Sequence, residues 1–388
     1  MRILHTSDWH IGRTFHGYST LAAIGDVLAG LAPIVREHRI DVVIAAGDVF
    51  DTANPSGDAY RVLQATLEAI LAAGARVIVT SGNHDSPRRL GFAGPFTALA
   101  GLHLITDPAT VGRAVTIDDE HGPVDFYALP YLEPALVRGE PWTRAGVRSQ
   151  HDVVRDAMEP IRASAAARRD AGARAVVIAH TFVAGAESES SDSERPIVAG
   201  GVDAVPLGVL GGVDYVALGH IHGRATLAEG VRYSGAPLHY SFKEAGKPRG
   251  GWLVDLDADG LAGVTWVDLP VPRPLAVLTD TFDALLTDPA YQAHHDHWVS
   301  ATYTDRSRRI DPMNQLRSRF PWCAEVRHQP SELAEQSRGI AQRVRGLTDE
   351  QIVGNFLVDV RNGEDPGAEE TAIMAEVIAE HRTRGQRS

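Results

Sequence analysis

The sequence predicts an α/β fold, and two observations support this prediction. From residue 1 to about residue 270, short apolar runs typical of strands alternate with amphipathic stretches typical of helices, such as Tyr60 to Ala73 and Val153 to Ala171. Five polar motifs lie at or just past the ends of apolar runs. Because strands of an α/β layer present their chemistry at one edge of the sheet, we expect the motifs to converge there.

Each of the five motifs follows a predicted strand. The predicted strands are Ile3 to Leu4, Val42 to Ala45, Val77 to Val79, Val176 to Ile178 and Val213 to Leu218. The motifs are, in the same order, Asp8-Trp9-His10, Gly47-Asp48-Val49-Phe50-Asp51, Gly82-Asn83-His84-Asp85, Ala179-His180 and Gly219-His220-Ile221-His222. One such motif is weak, since an isolated histidine is more often packed or exposed than a ligand. Five in this arrangement predict a single shared site.

Composition limits the class of protein. A chain of 388 residues suggests two or three domains, and the net charge of -13 argues against a basic protein that coats DNA. The single cysteine, Cys323, excludes an internal disulfide and a thiolate zinc cluster. The first residues lack a leader pattern and no apolar run could span a bilayer, so we expect a cytoplasmic protein with no membrane partner.

The region after residue 230 predicts a change of architecture. Val231 to Trp266 has short strands separated by glycine and proline, typical of antiparallel sheet, and Leu269 to Pro274 is a proline-dense boundary. A small unit over 275–330 follows, with four predicted elements: strand Leu275 to Leu278, strand Trp298 to Tyr303, helix Pro312 to Phe320 and strand Cys323 to His328. The predicted domains are therefore 1–270, 275–330 and a helical segment over 346–382.

The helical segment has two predicted helices, Asp349 to Val360 and Ala368 to His381, after a polar linker over 329–345. Their apolar residues form stripes at helical spacing. Two interpretations stay open: the pair folds back on its own domain, or it docks on a partner.

The motifs supply a mixed set of nitrogen and oxygen donors. The predicted metal ligands are Asp8, His10, Asp48, Asn83, His180, His220 and His222. Without sulfur, this set suits Mn, Fe or Zn better than Ca or Mg. Two ions about 3.5–4 Å apart would clamp phosphate oxygens during in-line attack. His84 is the predicted catalytic group for the leaving oxygen, and Asp51 is predicted to orient it. The cluster His294-His295-Asp296-His297 lacks a strand frame and predicts a solvated stretch.

With these motifs, the chain resembles the calcineurin-like metallophosphoesterases, and within them the SbcD-type nuclease subunits. The stretches that match are Arg2 to Gly12, Gly47 to Thr52, Gly82 to Ser86, Ala217 to His222, Tyr233 to Pro237 and Ser241-Phe242-Lys243-Glu244. The last of these separates SbcD-like chains from general phosphodiesterases. The resemblance covers nearly the whole chain, and no motif position departs from the family pattern. It implies a four-layer α+β sandwich, a small α/β capping domain at 275–330 and a C-terminal helix pair that binds an SbcC-type coiled-coil ATPase.

The resemblance also implies roles for individual residues. Asp8, His10, Asp48 and His222 would hold one manganese ion, and Asp48, Asn83, His180 and His220 the other. Helical residues after Pro55, including Leu63 and Leu67, lie where relatives form a homodimer. ATP dependence would come from the partner, because the chain has no Gly-x-x-x-x-Gly-Lys-Ser/Thr phosphate loop.

Three functions are compared on this basis. The first is a Mn-dependent DNA exonuclease and endonuclease, acting in DNA repair and recombination with an SbcC-type ATPase on ends and hairpins. The alternatives are a small-molecule phosphodiesterase or phosphatase of the same fold, and a catalytically silent scaffold. A small substrate needs neither a cap nor a docking tail, which disfavours the second function. Basic residues near the motifs are weak candidates for phosphate contacts: Arg13, Arg88, Arg89, Lys243, Lys247 and Arg249.

Overall fold

The computed structural model describes residues 1–186, 204–330, 346–361 and 365–385. The chain divides into two compact units, Met1–Pro272 and Arg273–Ser388. In the described residues of the first unit, the strands are β1 Arg2–Thr6, β2 Thr14–Phe15, β3 Tyr18–Ser19, β4 Val42–Ala46, β5 Arg76–Thr80, β6 Leu102–Ile105, β7 Val115–Asp119, β8 Gly122–Leu129, β9 Arg174–His180, β10 Tyr215–Gly219, β11 Ala225–Ala228, β12 Val231–Tyr233, β13 Gly250–Asp257 and β14 Gly260–Asp268.

The helices of the first unit are α1 Leu21–Ala29, α2 Leu31–His38, α3 Gly57–Ala72, α4 Pro87–Leu90, α5 Gly94–Thr97, α6 Pro134–Val137 and α7 Gln150–Arg169. The two longest begin at serine caps. The Ser56 side chain accepts a hydrogen bond from the Ala59 N–H, and the Ser149 side chain accepts one from the Asp152 N–H. Each cap satisfies a backbone donor that the first helical turn leaves without a partner.

Two six-stranded sheets form the centre of the first unit. The first has the order β14-β13-β1-β4-β5-β6, with β1, β4, β5 and β6 parallel and β13 antiparallel to both neighbours. The second has the order β11-β12-β10-β9-β8-β7, with β12, β10, β9 and β8 parallel. Strands β2 and β3 form a separate hairpin. All five predicted motif strands are confirmed, as β1, β4, β5, β9 and β10.

The sheets pack face to face and helices cover their outer faces. One buried cluster joins side chains of both sheets, including Ile44 and Ile78 from the first and Val176, Ile178 and Ala217 from the second. A second cluster packs α1, α2 and α3 on the first sheet, and a third packs α7 on the second sheet. The order of layers is helix, sheet, sheet, helix, which confirms the four-layer sandwich.

The second unit has its own small core. Its strands β15 Leu275–Asp280, β16 Trp298–Tyr303 and β17 Cys323–His328 form a parallel sheet, covered by α8 Phe282–Thr287 and α9 Pro312–Arg317. Buried side chains between these elements include Phe282, Leu285, Leu316 and Phe320. Two further helices are α10 Asp349–Val360 and α11 Ala368–Gly385.

The predicted elements of this unit are confirmed, but α8 was not predicted from the sequence. The predicted linker over 329–345 falls almost wholly outside the described residues. In the first unit, the antiparallel prediction for Val231 to Trp266 is confirmed for β13 with β14 and for β12 with β11. On its other side β12 pairs parallel to β10, with Val231 opposite Val216, which the prediction did not include.

Among the described residues, no helix combines the length and apolar character that crossing a bilayer requires.

Candidate metal centre

The five motif loops meet above the carboxyl ends of β1, β4, β5, β9 and β10. The first two loops are joined by backbone hydrogen bonds, from the Asp8 N–H to the Gly47 carbonyl (3.0 Å) and from the His10 N–H to the Asp48 carbonyl (2.9 Å). Because β1 and β4 are adjacent and parallel, their loops leave the sheet side by side. The same edge of the second sheet supplies His180, the last residue of β9, and the loop after β10.

Four of the seven predicted ligands have a strained backbone. Their φ angles are positive: Asp8 53°, His10 44°, Asp48 47° and His220 110°. Non-glycine residues adopt such angles rarely and at a cost of about 1–3 kcal/mol each. Such strain persists only where the surrounding structure fixes the conformation, and it concentrates at functional sites.

Glycine precedes three predicted ligands, at positions 47, 82 and 219, because there is no space for a side chain. A Cβ on Gly82 would lie 2.1 Å from Oδ1 of Asp48, and a Cβ on Gly219 would lie 1.8 Å from the carbonyl oxygen of Ala46. The Gly82 loop therefore packs directly on a ligand carboxylate. The end of β10 in the second sheet packs just as closely on the end of β4 in the first.

Asp48 is at the centre of the donors. Its Oδ1 accepts a hydrogen bond from the backbone N–H of His84 at 2.8 Å. Its Oδ2 faces three imidazoles, at 3.4 Å from Nε2 of His180, 3.6 Å from Nε2 of His10 and 3.9 Å from Nε2 of His84. These side chains are buried, so one carboxylate oxygen is shared among three nitrogen donors with little access to water.

The remaining predicted ligands lie on either side of Asp48. On one side, Nε2 of His222 is 3.0 Å from Nε2 of His10. One nitrogen of each of these rings and one carboxylate oxygen of Asp8 all lie within 4.8 Å of one another. On the other side, Oδ1 of Asn83 is 3.0 Å from Nε2 of His180. The ring centroid of His220 lies 5.4 Å from that of His180.

Backbone carbonyls fix the tautomers of two histidines. Nδ1 of His180 lies 3.0 Å from the Ala46 carbonyl oxygen, and Nδ1 of His84 lies 2.8 Å from the Asp51 carbonyl oxygen. A carbonyl can only accept, so the proton of each neutral ring is on Nδ1. In the neutral form of both rings, the lone pair is therefore on Nε2, the nitrogen that faces the Asp48 carboxylate.

The predicted role of Asp51 needs correction. His84 is oriented by the main-chain carbonyl of Asp51, and the Asp51 carboxylate is farther away, with Oδ1 at 3.7 Å from Nδ1 of His84. The carboxylate lies closer to Nδ1 of His10 and to the Arg13 guanidinium, both at 3.4 Å. Burial raises the pKa of Asp51, but the contacts with His10 and Arg13 outweigh burial and hold it below its usual value.

Burial and mutual charge act in opposite directions across the cluster. Burial raises the pKa of Asp8 to about 6, against the lowering effect of the His180 and His222 charges. Burial lowers the pKa of His10 to about 3. For His180 burial also lowers the pKa, but the Asp48 carboxylate outweighs it and raises the value to about 9. The same pairing keeps the pKa of Asp48 well below its usual value despite its burial.

The donors fit divalent metal ions. Three overlapping groups of three donors, each with its atoms within 4.8 Å, lie in this cluster: Asp8 with His10 and His222, His10 with Asp48 and His84, and Asp8 with Asp48 and His180. Imidazole nitrogen and carboxylate oxygen without thiolate are the ligands of borderline cations such as Mn, Fe and Zn. Among the described residues, none of these groups includes the 294–297 cluster, whose His295 and Asp296 are exposed as predicted.

The weak DNA-contact candidates differ in exposure. Arg88, Arg89 and Lys243 are exposed. Arg13 packs against the site, with its guanidinium carbon 4.9 Å from the centroid of the Tyr240 ring. Arg249 is buried, at 2% exposure, so its assignment as a phosphate contact is wrong. The sequence showed its proximity to a motif, but only the fold shows that it faces inward.

Sequence reasoning left Asp85 without a defined contact and Ser7 without a role. Asp85 accepts hydrogen bonds from the backbone N–H groups of Val49 (3.1 Å), Phe50 (2.9 Å) and Gly82 (2.9 Å), which joins the loops after β4 and β5. Ser7 donates to Oδ2 of Asp8 and lies 2.8 Å from the hydroxyl of Ser234. Their position in or beside the motifs could have indicated a role at the site. The contacts themselves could not be predicted, because they depend on residues distant in sequence.

Comparison with known proteins agrees with this geometry. Residues 1–224 match the model of the calcineurin-like phosphoesterases, and residues 271–360 match a model described as the type 5 capsule protein repressor C-terminal domain, of the SbcD_C family. The first match covers more than half of the chain. The chain therefore belongs to the calcineurin-like phosphoesterase family, which uses divalent metals, and the predicted enzyme class of metal-dependent phosphoesterase is confirmed.

The predicted resemblance to SbcD is also confirmed. Over 264 residues the chain is 38% identical to the SbcD subunit of the SbcCD nuclease of Bacillus subtilis (strain 168), a match that spans 66% of this chain and 66% of the relative. Two solved structures show a more distant likeness, each at 14% identity. The protein TT1561 of Thermus thermophilus has a TM-score of 0.38 over 69% of this chain and 98% of its own. A dimetal phosphatase from Danio rerio has a TM-score of 0.41 over 70% and 99%.

Proposed function

We propose that this chain is a DNA nuclease that hydrolyses phosphodiester bonds with two divalent ions, Mn²⁺ in the cell, as the nuclease subunit of a complex with an SbcC-type ATPase. The observation that carries the proposal is the sharing of one Asp48 oxygen among three imidazole nitrogens within 3.9 Å. The Bacillus subtilis relative is named as a subunit of a nuclease, which supports a nucleic acid as the substrate. We propose exonuclease and endonuclease action on ends and hairpins, in DNA repair and recombination in the cytoplasm.

In this proposal the predicted ligands keep their roles. Asp8, His10, Asp48 and His222 would hold one ion, and Asp48, Asn83, His180 and His220 the other. When bound, the ions supply positive charge for the phosphate oxygens and activate water. The Asp51 carbonyl holds the Nδ1–H of His84, so Nε2 is the nitrogen that would bind a proton and pass it to the leaving oxygen. That nitrogen lies 3.9 Å from Oδ2 of Asp48, inside the cluster of donors.

The test is cleavage of defined DNA by the full chain, with and without the ATPase partner. End-labelled duplex, a hairpin and a small chromogenic phosphodiester are incubated with Mn²⁺, Mg²⁺ or a chelator. We expect Mn²⁺-dependent cutting of the DNA substrates. If the small diester is hydrolysed but the DNA substrates stay uncut in the presence of the partner, the result would favour the small-molecule phosphodiesterase. No hydrolysis of any substrate by the metal-loaded protein would favour the silent scaffold.

We propose that the second unit serves substrate and partner. The 275–330 region would be a capping domain for DNA, and the helices over 346–382 would bind the root of the ATPase coiled coil. Large apolar side chains exposed on the two helices support the docking surface: Phe356 (61%), Val360 (51%), Ile373 (55%) and Val377 (58%). Phe356→Glu with Val377→Glu in the full chain should abolish co-purification with the ATPase and leave hydrolysis of the small diester unchanged.

We also propose a homodimer, with a contact surface different from the one first expected. Leu63 and Leu67 are buried in the core of the first unit at 7% and 8% exposure, so their assignment to a dimer contact is wrong. Phe92, Phe96 and Leu99 are exposed at 86%, 78% and 90%, and such an apolar patch is typical of an interface. Sedimentation should give a dimer for the wild type and a monomer for Phe92→Asp with Phe96→Asp. A wild-type monomer would contradict the proposal.

A further inference from the structure

Glu244 is a buried carboxylate with no role in the chemistry described so far. It lies in a 3-10 helix, Phe242–Glu244, and is 0% exposed. Its Oε2 accepts hydrogen bonds from the Tyr240 N–H at 2.9 Å and from the Arg249 guanidinium at 2.8 Å. Its other oxygen, Oε1, lies 3.8 Å from Nδ1 of His222.

Stability does not account for a charge at this position. A buried ion pair generally stabilises a fold no more than apolar side chains of the same volume, because both charges lose their hydration. Arg249 is also buried, and its guanidinium donates to the carbonyl oxygens of His222 and Ala236. The pair therefore contacts both the main chain and the ring of one predicted ligand.

We propose that Glu244 is a positioning residue that orients His222, an inference that depends on the proposed two-ion function. The Glu244 carboxylate, 3.8 Å away, would attract the proton of His222 to Nδ1 by its charge, which keeps the lone pair on Nε2. That nitrogen lies 3.0 Å from Nε2 of His10, in the group of donors with Asp8. A carboxylate behind an imidazole makes the ring a stronger donor and fixes its orientation.

The two ion positions then differ in what supports their histidines. Nδ1 of His10 also faces a carboxylate, that of Asp51 at 3.4 Å, which is paired with Arg13 as Glu244 is paired with Arg249. Nδ1 of His180 is instead hydrogen-bonded to the neutral carbonyl oxygen of Ala46 at 3.0 Å, with Oδ1 of Asp8 farther away at 4.0 Å. The position formed by Asp8, His10 and His222 thus has two carboxylate-supported imidazoles, and loss of the Glu244 charge should weaken this position selectively.

The test is calorimetric titration of the metal-free full chain with Mn²⁺, comparing wild type with Glu244→Gln. This substitution keeps size and removes the charge. We expect two binding events in the wild type, and in the variant a roughly 10–100-fold weaker affinity for one event with the other unchanged. Electron paramagnetic resonance of Mn²⁺ gives a second readout: at one equivalent, the variant should place the ion in a different ligand environment from the wild type.

The matched control is Asp125→Asn. Asp125 is a buried carboxylate paired with Arg168 and distant in sequence from every motif. The Asp125→Asn variant should be less stable than the wild type and bind Mn²⁺ with unchanged affinity. Equal affinities in wild type and Glu244→Gln, or equal losses in Glu244→Gln and Asp125→Asn, would overturn the role of Glu244 while leaving the two-ion site intact. A wild type that binds no divalent ion would overturn both.

If the Glu244→Gln variant does not fold, a second measurement on the wild type tests the same proposal. In the wild type loaded with Zn²⁺, nitrogen-15 spectra report the tautomer of each imidazole. We expect a proton on Nδ1 of His222 and a metal-bound Nε2. A metal-bound Nδ1, or a proton on Nε2, would overturn the proposal.

Discussion

Substitution of Gly219 by alanine tests whether the close approach of the two sheets builds the site. The added Cβ would lie 1.8 Å from the Ala46 carbonyl oxygen and 2.9 Å from Nδ1 of His180. Since Cβ contacts below 3.0 Å are essentially never observed, the ends of β10 and β4 must separate by about 1.2 Å. The same carbonyl is the acceptor that orients His180, so the substitution displaces a ligand and its support together.

The expected loss is larger in catalysis than in stability. A displacement of about 1 Å at a catalytic site costs about 10²-fold in rate, whereas overpacking of this kind costs about 1–3 kcal/mol in unfolding free energy. The assays are Mn²⁺ titration, kcat/KM on a phosphodiester and thermal unfolding. Gly263→Ala is the control, because its Cβ would meet nothing within 4 Å. Wild-type Mn²⁺ affinity and kcat/KM in Gly219→Ala would refute the reasoning.

Three further predictions follow from contacts in or near the site. His84→Asn should retain Mn²⁺ and lose about 10²–10⁴-fold in kcat, and full activity would contradict the role of His84. Asp85→Asn should lower the unfolding free energy by about 1–3 kcal/mol, because one of the three backbone N–H groups it bonds loses its acceptor; an unchanged melting temperature would count against this. His5 has its pKa lowered by burial to about 3, from an ordinary value of 6.5. The unfolded chain therefore binds one more proton between these values, and stability falls as pH drops from about 6.5 toward 3, by about 1.4 kcal/mol per pH unit from this group. Urea unfolding of His5→Gln should show a shallower acid limb, and a slope equal to that of the wild type would contradict the assignment.

The strands that carry the motifs were predictable because their apolar runs are distinctive. Val42 to Ala46 is fully buried, and a continuous apolar run is the pattern of a parallel strand covered on both faces. The parallel pairing of β12 with β10 was not predictable, because a strand of three residues has the same pattern in either direction. Helix α8 was missed because six residues show little periodicity, although Thr281 caps it.

At the site, residue type and spacing predicted the donors, but not the contacts between them. The partner of His84 is the carbonyl of Asp51, a group that every residue has and that no motif can specify. Glu244 is 22 positions from His222 and lies in a short turn without periodic signal. The positive φ angles of Asp8, His10 and Asp48 are likewise set by tertiary contacts that local sequence does not show.

The spacing of the two sheets is itself part of the candidate metal centre. The first sheet supplies Asp8, His10, Asp48 and Asn83, and the second supplies His180, His220 and His222. Ala46 and Ala217 belong to the buried cluster between the sheets, the first shortly before the predicted ligand Asp48 and the second shortly before Gly219 and His220. Small side chains here let the strand ends approach until only glycine fits at position 219. Because the donors divide between the sheets, any substitution that enlarges this apolar layer moves the two halves of the ligand set apart without changing a single donor.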